Sequence, residues 1–269
     1  MLTEDYKSML MTVRASKKLG QHFLINPEVA KAEARYAEGK RVVEMGPGLG
    51  ILTDALCSVS KNVVAVERDR KVFELLRENI SAPNLKLINA DFFDIDYKEL
   101  GNPEIMVSNI PYNLSSKTIG WLAEHGTEAV LCLQKEFVEH MLAEPDTRDY
   151  SKLSVITRLQ FNVSHVLDVP LKDFYPVPNV NSIVAHIKPK QHLIEPDALS
   201  IIGAIMSHKK KKVRNAINDA RSALSIDPKE ARKLSDSVPF ANERLFKLEP
   251  EKIMEIVYSI KEFKRRLIT

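Results

Sequence analysis

The chain has only two cysteines among its 269 residues, one tryptophan, and no apolar run long enough to cross a bilayer. Cys57 and Cys132 lie far apart, show no C-x-x-C spacing and have no histidine beside them, which excludes a disulfide framework and argues against a zinc centre. A reducing compartment is expected, with no metal. A membrane span needs about 18 to 20 consecutive apolar residues, and none occurs. The first stretch, MLTEDYKSMLMTVRASKK, is mixed and charged and lacks the apolar h-region of a secretory signal. A soluble, cytoplasmic protein without a membrane partner is expected.

What the chain has is length and an uneven charge. It is long enough for one large α/β domain and a small second one. The net charge of +3 hides an asymmetry: residues 1–189 carry 22 Lys+Arg against 25 Asp+Glu, whereas residues 190–269 carry 17 against 11. The C-terminal part is therefore net +6 on a mildly acidic body, a footprint suited either to a polyanion or to a solvated helical surface.

Short β-branched runs alternate with helical patterns through the first 190 residues, which predicts a parallel sheet covered on both faces. Strands are expected at Arg41 to Met45, Asn62 to Val66, Leu85 to Ile88, Ile105 to Ser108 and Ala129 to Leu133. Helices are expected near 51–59, 69–79 and 116–125. A helical stretch, SKLSVITRLQFN, precedes two further runs, VSHVLDVPL and SIVAHIKPK, that read as an antiparallel hairpin closing the sheet edge around the turn DFYPVPNV. From about 195 the spacing becomes helical in IIGAIMSH, VRNAINDARSAL, ERLFKL and KIMEIVYSIKEF, with turns at Asp227-Pro228 and Glu249-Pro250. Two domains follow, 1–190 and 191–269.

The strongest local signal is Glu44-Met45-Gly46-Pro47-Gly48-Leu49-Gly50 running into Ile51-Leu52-Thr53, a turn from the first strand into a helix. Glycines there permit a tight bend and let backbone approach a ligand. A dinucleotide-binding loop would need a sixth-position glycine, and that position is Ile51. The pattern instead resembles the nucleoside-binding loop of class I methyltransferases, making Gly46 and Gly48 candidate donor contacts. Glu67 ends the second strand, where a carboxylate can accept hydrogen bonds from both ribose hydroxyls. Asp91, after the third strand, is the matching candidate for an adenine amino group.

Asn109-Ile110-Pro111-Tyr112 closes the fourth strand, and parallel-sheet sites open at the carboxyl ends of strands. The lone pair of an aromatic amine is delocalised into its ring. The Asn109 side-chain oxygen and the Ile110 carbonyl together can accept the two amine protons and draw the nitrogen toward tetrahedral geometry, freeing that lone pair. Pro111 stiffens the turn, and Tyr112 offers a ring for a flipped-out base.

The chain resembles the small-subunit rRNA adenine dimethyltransferases. The likeness lies in Lys17-Lys18-Leu19-Gly20-Gln21-His22-Phe23-Leu24, the Glu44 to Thr53 loop, Asn109-Ile110-Pro111-Tyr112-Asn113, Phe174-Tyr175-Pro176-Val177-Pro178-Asn179-Val180-Asn181-Ser182, and the lysine-rich segment ending at Arg214-Asn215. The resemblance implies a Rossmann-like class I methyltransferase domain with a seven-stranded, mostly parallel sheet and a small all-helical C-terminal domain. It implies S-adenosylmethionine as donor, held by His22, Leu24, Gly46, Glu67, Asp91 and Asn109, with the target adenine between Tyr112 and Phe174. The implied substrate is two adjacent adenines near the 3′ end of small-subunit rRNA, each dimethylated on N6, in the small ribosomal subunit or its precursor. Position 22 is His where many members carry Asn, and Ala90 stands where Gly is common.

Lys209, Lys210, Lys211 and Lys212, with Arg214, are read as opening a helix and meeting RNA phosphates. His125, His140, His165, His186 and His192 have no carboxylate or cysteine at ligand spacing and are read as structural or surface residues. A monomer is expected. Three other readings stand beside the main one: a large-subunit methyltransferase of the antibiotic-resistance type, an assembly factor that acts by binding, and a nicotinamide oxidoreductase, which Ile51 disfavours.

Overall fold

The computed structural model describes residues 4–12, 21–191 and 193–268; Lys17 to Gly20 and His192 lie outside them. The chain opens with α1 (Glu4–Thr12), β1 (Phe23–Leu24) and α2 (Pro27–Ala34), and continues through β2 (Arg41–Met45), α3 (Ile51–Val59), β3 (Asn62–Glu67), α4 (Arg70–Asn79) and β4 (Leu85–Asn89). Next come β5 (Ile105–Ser108), α5 (Ser115–His125), β6 (Glu128–Gln134), α6 (Lys135–Met141), α7 (Lys152–Gln160), β7 (Phe161–Val169), β8 (Phe174–Tyr175) and β9 (Ser182–Pro189). Four helices end it: α8 (Pro196–Met206), α9 (Val213–Leu224), α10 (Pro228–Ser237) and α11 (Pro250–Ile268).

Seven strands form one sheet in the order β4-β3-β2-β5-β6-β9-β7. β4 through β6 are parallel, and β9 runs antiparallel to β6. Continuous apolar runs suit strands buried on both faces, and Val42, Val43, Val107, Val130 and Leu131 are all but inaccessible. The chain leaves β2 outward through β3 and β4, then crosses back to β5 on the other side. That reversal opens a crevice at the carboxyl ends of β2 and β5, the usual ligand position in such sheets. Ser108 Oγ donates to the Met45 carbonyl at 2.5 Å and ties the two strand ends together.

The chain divides into two compact units. The first takes in residues up to Thr118 with Thr127–Phe137 and Val163–Lys188; the second takes in Ile119–Gly126, Val138–Asn162 and the chain from Pro189 on. In the second, α9 packs on α8 and α10, and α11 packs on α7 and α8. Asp227 caps α10 through Lys229 N and Glu230 N, with Pro228 in its first turn.

Four expectations need correction. The turn DFYPVPNV contains the strand β8, which pairs with β1 through Phe23↔Tyr175 and Leu24↔Phe174; a two-residue pairing across a long loop has no periodicity to find. The expected turn at Asp227-Pro228 begins α10, and ERLFKL yields only a three-residue 3-10 turn at Leu245–Lys247. The basic run opens a helix only at its end: Lys209 to Lys211 precede α9, Lys212 is its N-cap and Arg214 lies in its first turn. Cations are unfavourable at the positive end of a helix dipole.

Gly50 caps the start of α3 at φ +87°, and a Cβ there would run into Ile80 Cδ1 and Leu76 Cδ1. Gly50→Ala is expected to destabilise the protein by about 2 to 4 kcal/mol, combining left-handed backbone strain with overpacking. Thermal unfolding should show a midpoint about 5 to 15 °C lower; an unchanged midpoint would contradict this account of the turn.

Candidate active site

His22, Leu24, Gly46, Gly48, Glu67, Asp91, Asn109, Ile110, Pro111, Tyr112 and Phe174 all line one cleft in the first unit. Residues drawn from six separated segments thus meet at the crevice between β2 and β5. The basic run does not line it.

The floor is the glycine turn. Gly48 takes φ +57°, and a Cβ on it would stand 2.9 Å from the Phe23 ring, so the backbone itself forms the wall. Phe23 packs with Met9, Leu49 and Val72 in a small apolar cluster that includes α1. Tyr6 of α1 donates from its hydroxyl to the Gly50 carbonyl at 3.1 Å.

Glu67 is 6% exposed at the end of β3. Its Oε1 accepts from Asp69 N at 2.7 Å, and it also accepts from the Gly48 backbone. Burial pushes its carboxyl up to about 7, against those hydrogen bonds. Asp91 already has two tasks: Oδ1 caps a 3-10 turn by accepting from Phe93 N at 3.1 Å, and Oδ2 faces Arg68 Nη1 at 3.1 Å.

Tyr112 is half-buried and stacks on His22, with ring centroids 5.6 Å apart and planes inclined by 27°. Its hydroxyl is 2.8 Å from Ser182 Oγ. His22 is fixed in turn by Nδ1, 2.8 Å from the Pro176 carbonyl. Phe174 is buried through the β1–β8 pairing and contributes to the core with Leu24.

Asn109 is held from behind. Its Nδ2 donates to Glu33 Oε2 at 3.1 Å, while its Oδ1 is closed to water and has no hydrogen-bond partner. Glu33 was not anticipated. It lies on the buried face of α2 with Val29, Ala30 and Ala34. An acid recurring at the helical spacing of apolar residues is the signal that could have found it. Asn26 starts that helix by accepting from Glu28 N, and its own Nδ2 donates to Asp173 Oδ2 at 3.0 Å.

Glu44, whose motif was legible but whose state was not, is also buried, and accepts from Thr53 Oγ1 at 2.7 Å. Burial pushes both Glu33 and Glu44 up to about 8. Each retains in the folded state a proton that it loses near pH 4.5 when unfolded. The unfolded chain therefore binds fewer protons between those values, and stability falls as pH rises toward 8. The thermal midpoint is expected to be lower at pH 8 than at pH 6, and a Glu44→Gln variant should show a shallower decline. A midpoint that rises across that interval would refute the neutral assignment.

Away from the cleft, His186 Nε2 meets Glu128 Oε1 at 2.6 Å, and His165 Nε2 lies 3.4 Å from Asp168. Both pairs correct the expectation that these histidines lack a carboxylate partner: Asp168 stands three residues from His165, and Glu128 reaches His186 from the neighbouring strand β6. Among the described residues no group of three or more potential metal ligands occurs, and none of the helices is long and apolar enough to cross a membrane. Lys209 donates from Nζ to the backbone carbonyls of Tyr150 and Arg148, and Lys211 pairs with Asp219. Lys210, Lys212 and Arg214 are exposed.

The model of the ribosomal RNA adenine dimethylase family matches residues 12–248. The chain belongs to that family. A probable ribosomal RNA small subunit methyltransferase A from Thermococcus gammatolerans is 36% identical over 250 residues, which cover 91% of this chain and 88% of the relative. A relative of the same description from Methanopyrus kandleri is 36% identical over 260 residues, covering 92% and 93%. The solved dimethyladenosine transferase of Plasmodium falciparum shares the fold, with a TM-score of 0.72 at 22% identity over 90% of this chain and 98% of that one. As a ribosomal RNA adenine dimethylase, the protein is an S-adenosylmethionine-dependent methyltransferase with the Rossmann-like class I fold.

The cleft suits that donor. Glycine backbone forms one wall, apolar Leu24, Leu49 and Phe92 form others, and Glu67 stands at a strand end with acceptor capacity left over. Asn109 lines the cleft, and its Oδ1 is a buried acceptor.

Proposed function

We propose that the protein dimethylates the N6 amines of two adjacent adenines near the 3′ end of small-subunit rRNA, acting on the small subunit or its precursor during ribosome biogenesis. The curated relatives with 36% identity carry small-subunit names, which supports this substrate over the large-subunit one. The single observation that carries the chemistry is the partnerless Asn109 Oδ1 at the end of β5.

Glu67 would hold the ribose of the donor, with Gly46, Gly48, His22 and Leu24 around it and Asp91 toward its adenine. When bound, S-adenosylmethionine supplies a sulfonium methyl whose carbon takes up a lone pair while the C–S electrons remain on sulfur. The chain's own contribution is orientation. Asn109 Oδ1 and the Ile110 carbonyl accept the amine protons and turn the nitrogen lone pair toward the donor side, and the displaced proton leaves to water. Pro111 fixes the carbonyl, and Tyr112, braced by His22 and Ser182, presents a ring for the base. Base stacking of this type contributes about 1 to 3 kcal/mol. Phe174 lines the same cleft and is assigned the opposite side of the base.

Residues 1–190 are proposed as the donor-binding domain and residues 191–269 as the RNA-contacting one, with Lys210, Lys212 and Arg214 meeting phosphates and Lys209 and Lys211 shaping the turn that presents them. We further propose a monomer working in the cytoplasm. The test is mass spectrometry of ribosomal RNA from cells lacking this enzyme after treatment with protein and donor. Two adjacent dimethyladenosines in the small-subunit RNA are expected; a single modified adenine in large-subunit RNA would overturn the substrate reading.

A further inference from the structure

We propose that Glu33 is a positioning residue for the transfer, its buried carboxyl pairing with the Asn109 amide and holding the plane of that amide from behind the cleft. The proposal rests on the role assigned above to Asn109. Glu33 does not line the cleft; it reaches Asn109 from α2, on the far side of that amide.

Each member of this pair has a buried oxygen without a partner: Glu33 Oε1 and Asn109 Oδ1. The groups that carry them are already joined by the Asn109 Nδ2 to Glu33 Oε2 hydrogen bond of 3.1 Å. A primary amide presents one donor edge and one acceptor edge. A carboxylic acid presents the same two, so a single proton on Oε1 donating to Oδ1 satisfies both orphans at once. A carboxylate cannot do this, because all three remaining atoms would be acceptors. The pairing holds the plane of the amide against the carboxyl, since moving the proton to Oε2 would pair a rotated amide as well. Oδ1 keeps its second lone pair for the substrate amine.

The surroundings keep the proton in place. Glu33 is fully buried, and the titratable groups facing it are Glu44 on β2 and Cys132 on β6, neither of which is a cation. Burial holds the Glu33 carboxyl up at about 8, so it is neutral at physiological pH. As pH rises through that value the second hydrogen bond is lost and the rate should fall.

The experiment compares wild type, Glu33→Gln, Glu33→Leu and Asn109→Ala for rRNA methylation at saturating donor between pH 6.5 and 9.5, alongside S-adenosylhomocysteine affinity and thermal unfolding. Gln offers the same donor and acceptor edges without titrating. It should keep kcat within about threefold and lose the alkaline decline of the wild type. Leu should lower kcat about tenfold to a hundredfold while KM for RNA and donor affinity stay within about threefold. Glu33→Leu at wild-type rate, a wild type without the decline, or a decline retained in Glu33→Gln and so belonging to another group such as Glu44, each overturns the Glu33 proposal while an inactive Asn109→Ala leaves the role of Asn109 standing. A fully active Asn109→Ala removes both. Should Glu33→Leu fail to fold, the pH profile of Glu33→Gln decides.

Discussion

Replacing Asn109 by Ala should reduce methylation of ribosomal RNA by about a hundredfold to a thousandfold in kcat, the usual cost of removing one preorganised polar group that acts on the transition state. The protein should remain folded, because the hydrogen bonding of the Asn109 side chain is confined to Glu33, and its removal leaves space at the cleft wall. Affinity for S-adenosylhomocysteine should fall far less than the rate. That split separates an orienting acceptor from a mere donor contact, which would lower binding and rate together. Methylation within about threefold of wild type would end the proposed chemistry, whatever the family's activity.

Glu67→Ala should weaken S-adenosylhomocysteine binding about a hundredfold in calorimetry, since hydrogen bonds to a charged group contribute about 1.5 to 3 kcal/mol each. The same residue imposes a pH dependence with a definite sign. Its carboxyl is pushed up to about 7 by burial, so most of it is protonated at pH 6 and only a small part at pH 8. A protonated carboxyl accepts fewer hydroxyl hydrogen bonds, so affinity should rise several-fold as pH rises through 7. Glu67→Gln should bind weakly at both values and lose the slope. A wild-type affinity independent of pH, or a slope surviving in Glu67→Gln, would show that Glu67 does not carry the ribose contact.

The parallel half of the fold was legible because its strands are buried on both faces. Arg41 to Met45 and Ile105 to Ser108 were read to the residue, and Asn62 to Val66 extends by one. The edge pairing β1–β8 was not, since two residues define no period and their partner lies some 150 positions away. The site divides in the same way. Glycine turns and strand-end acids act within a few residues of sequence, so Gly46, Gly48, Glu67 and Asn109 could be named from local pattern and found lining one cleft. Local pattern also overestimated the basic run, because it counts Lys209 and Lys211 as free charges when their ammonium groups are bound inside their own unit.

By itself the sequence determined the sheet class, the glycine turn after β2, the Asn109-Ile110-Pro111-Tyr112 segment at the end of β5 and the family, because each is written in contiguous residues whose chemistry does not depend on distant neighbours. Only the tertiary structure decided that Glu33 and Glu44 are buried and neutral, that His22 and Ser182 brace Tyr112, and which way the Asn109 amide faces. Those outcomes turn on desolvation and on hydrogen bonds between residues up to 154 positions apart, and burial is a property of the folded chain that no single segment carries.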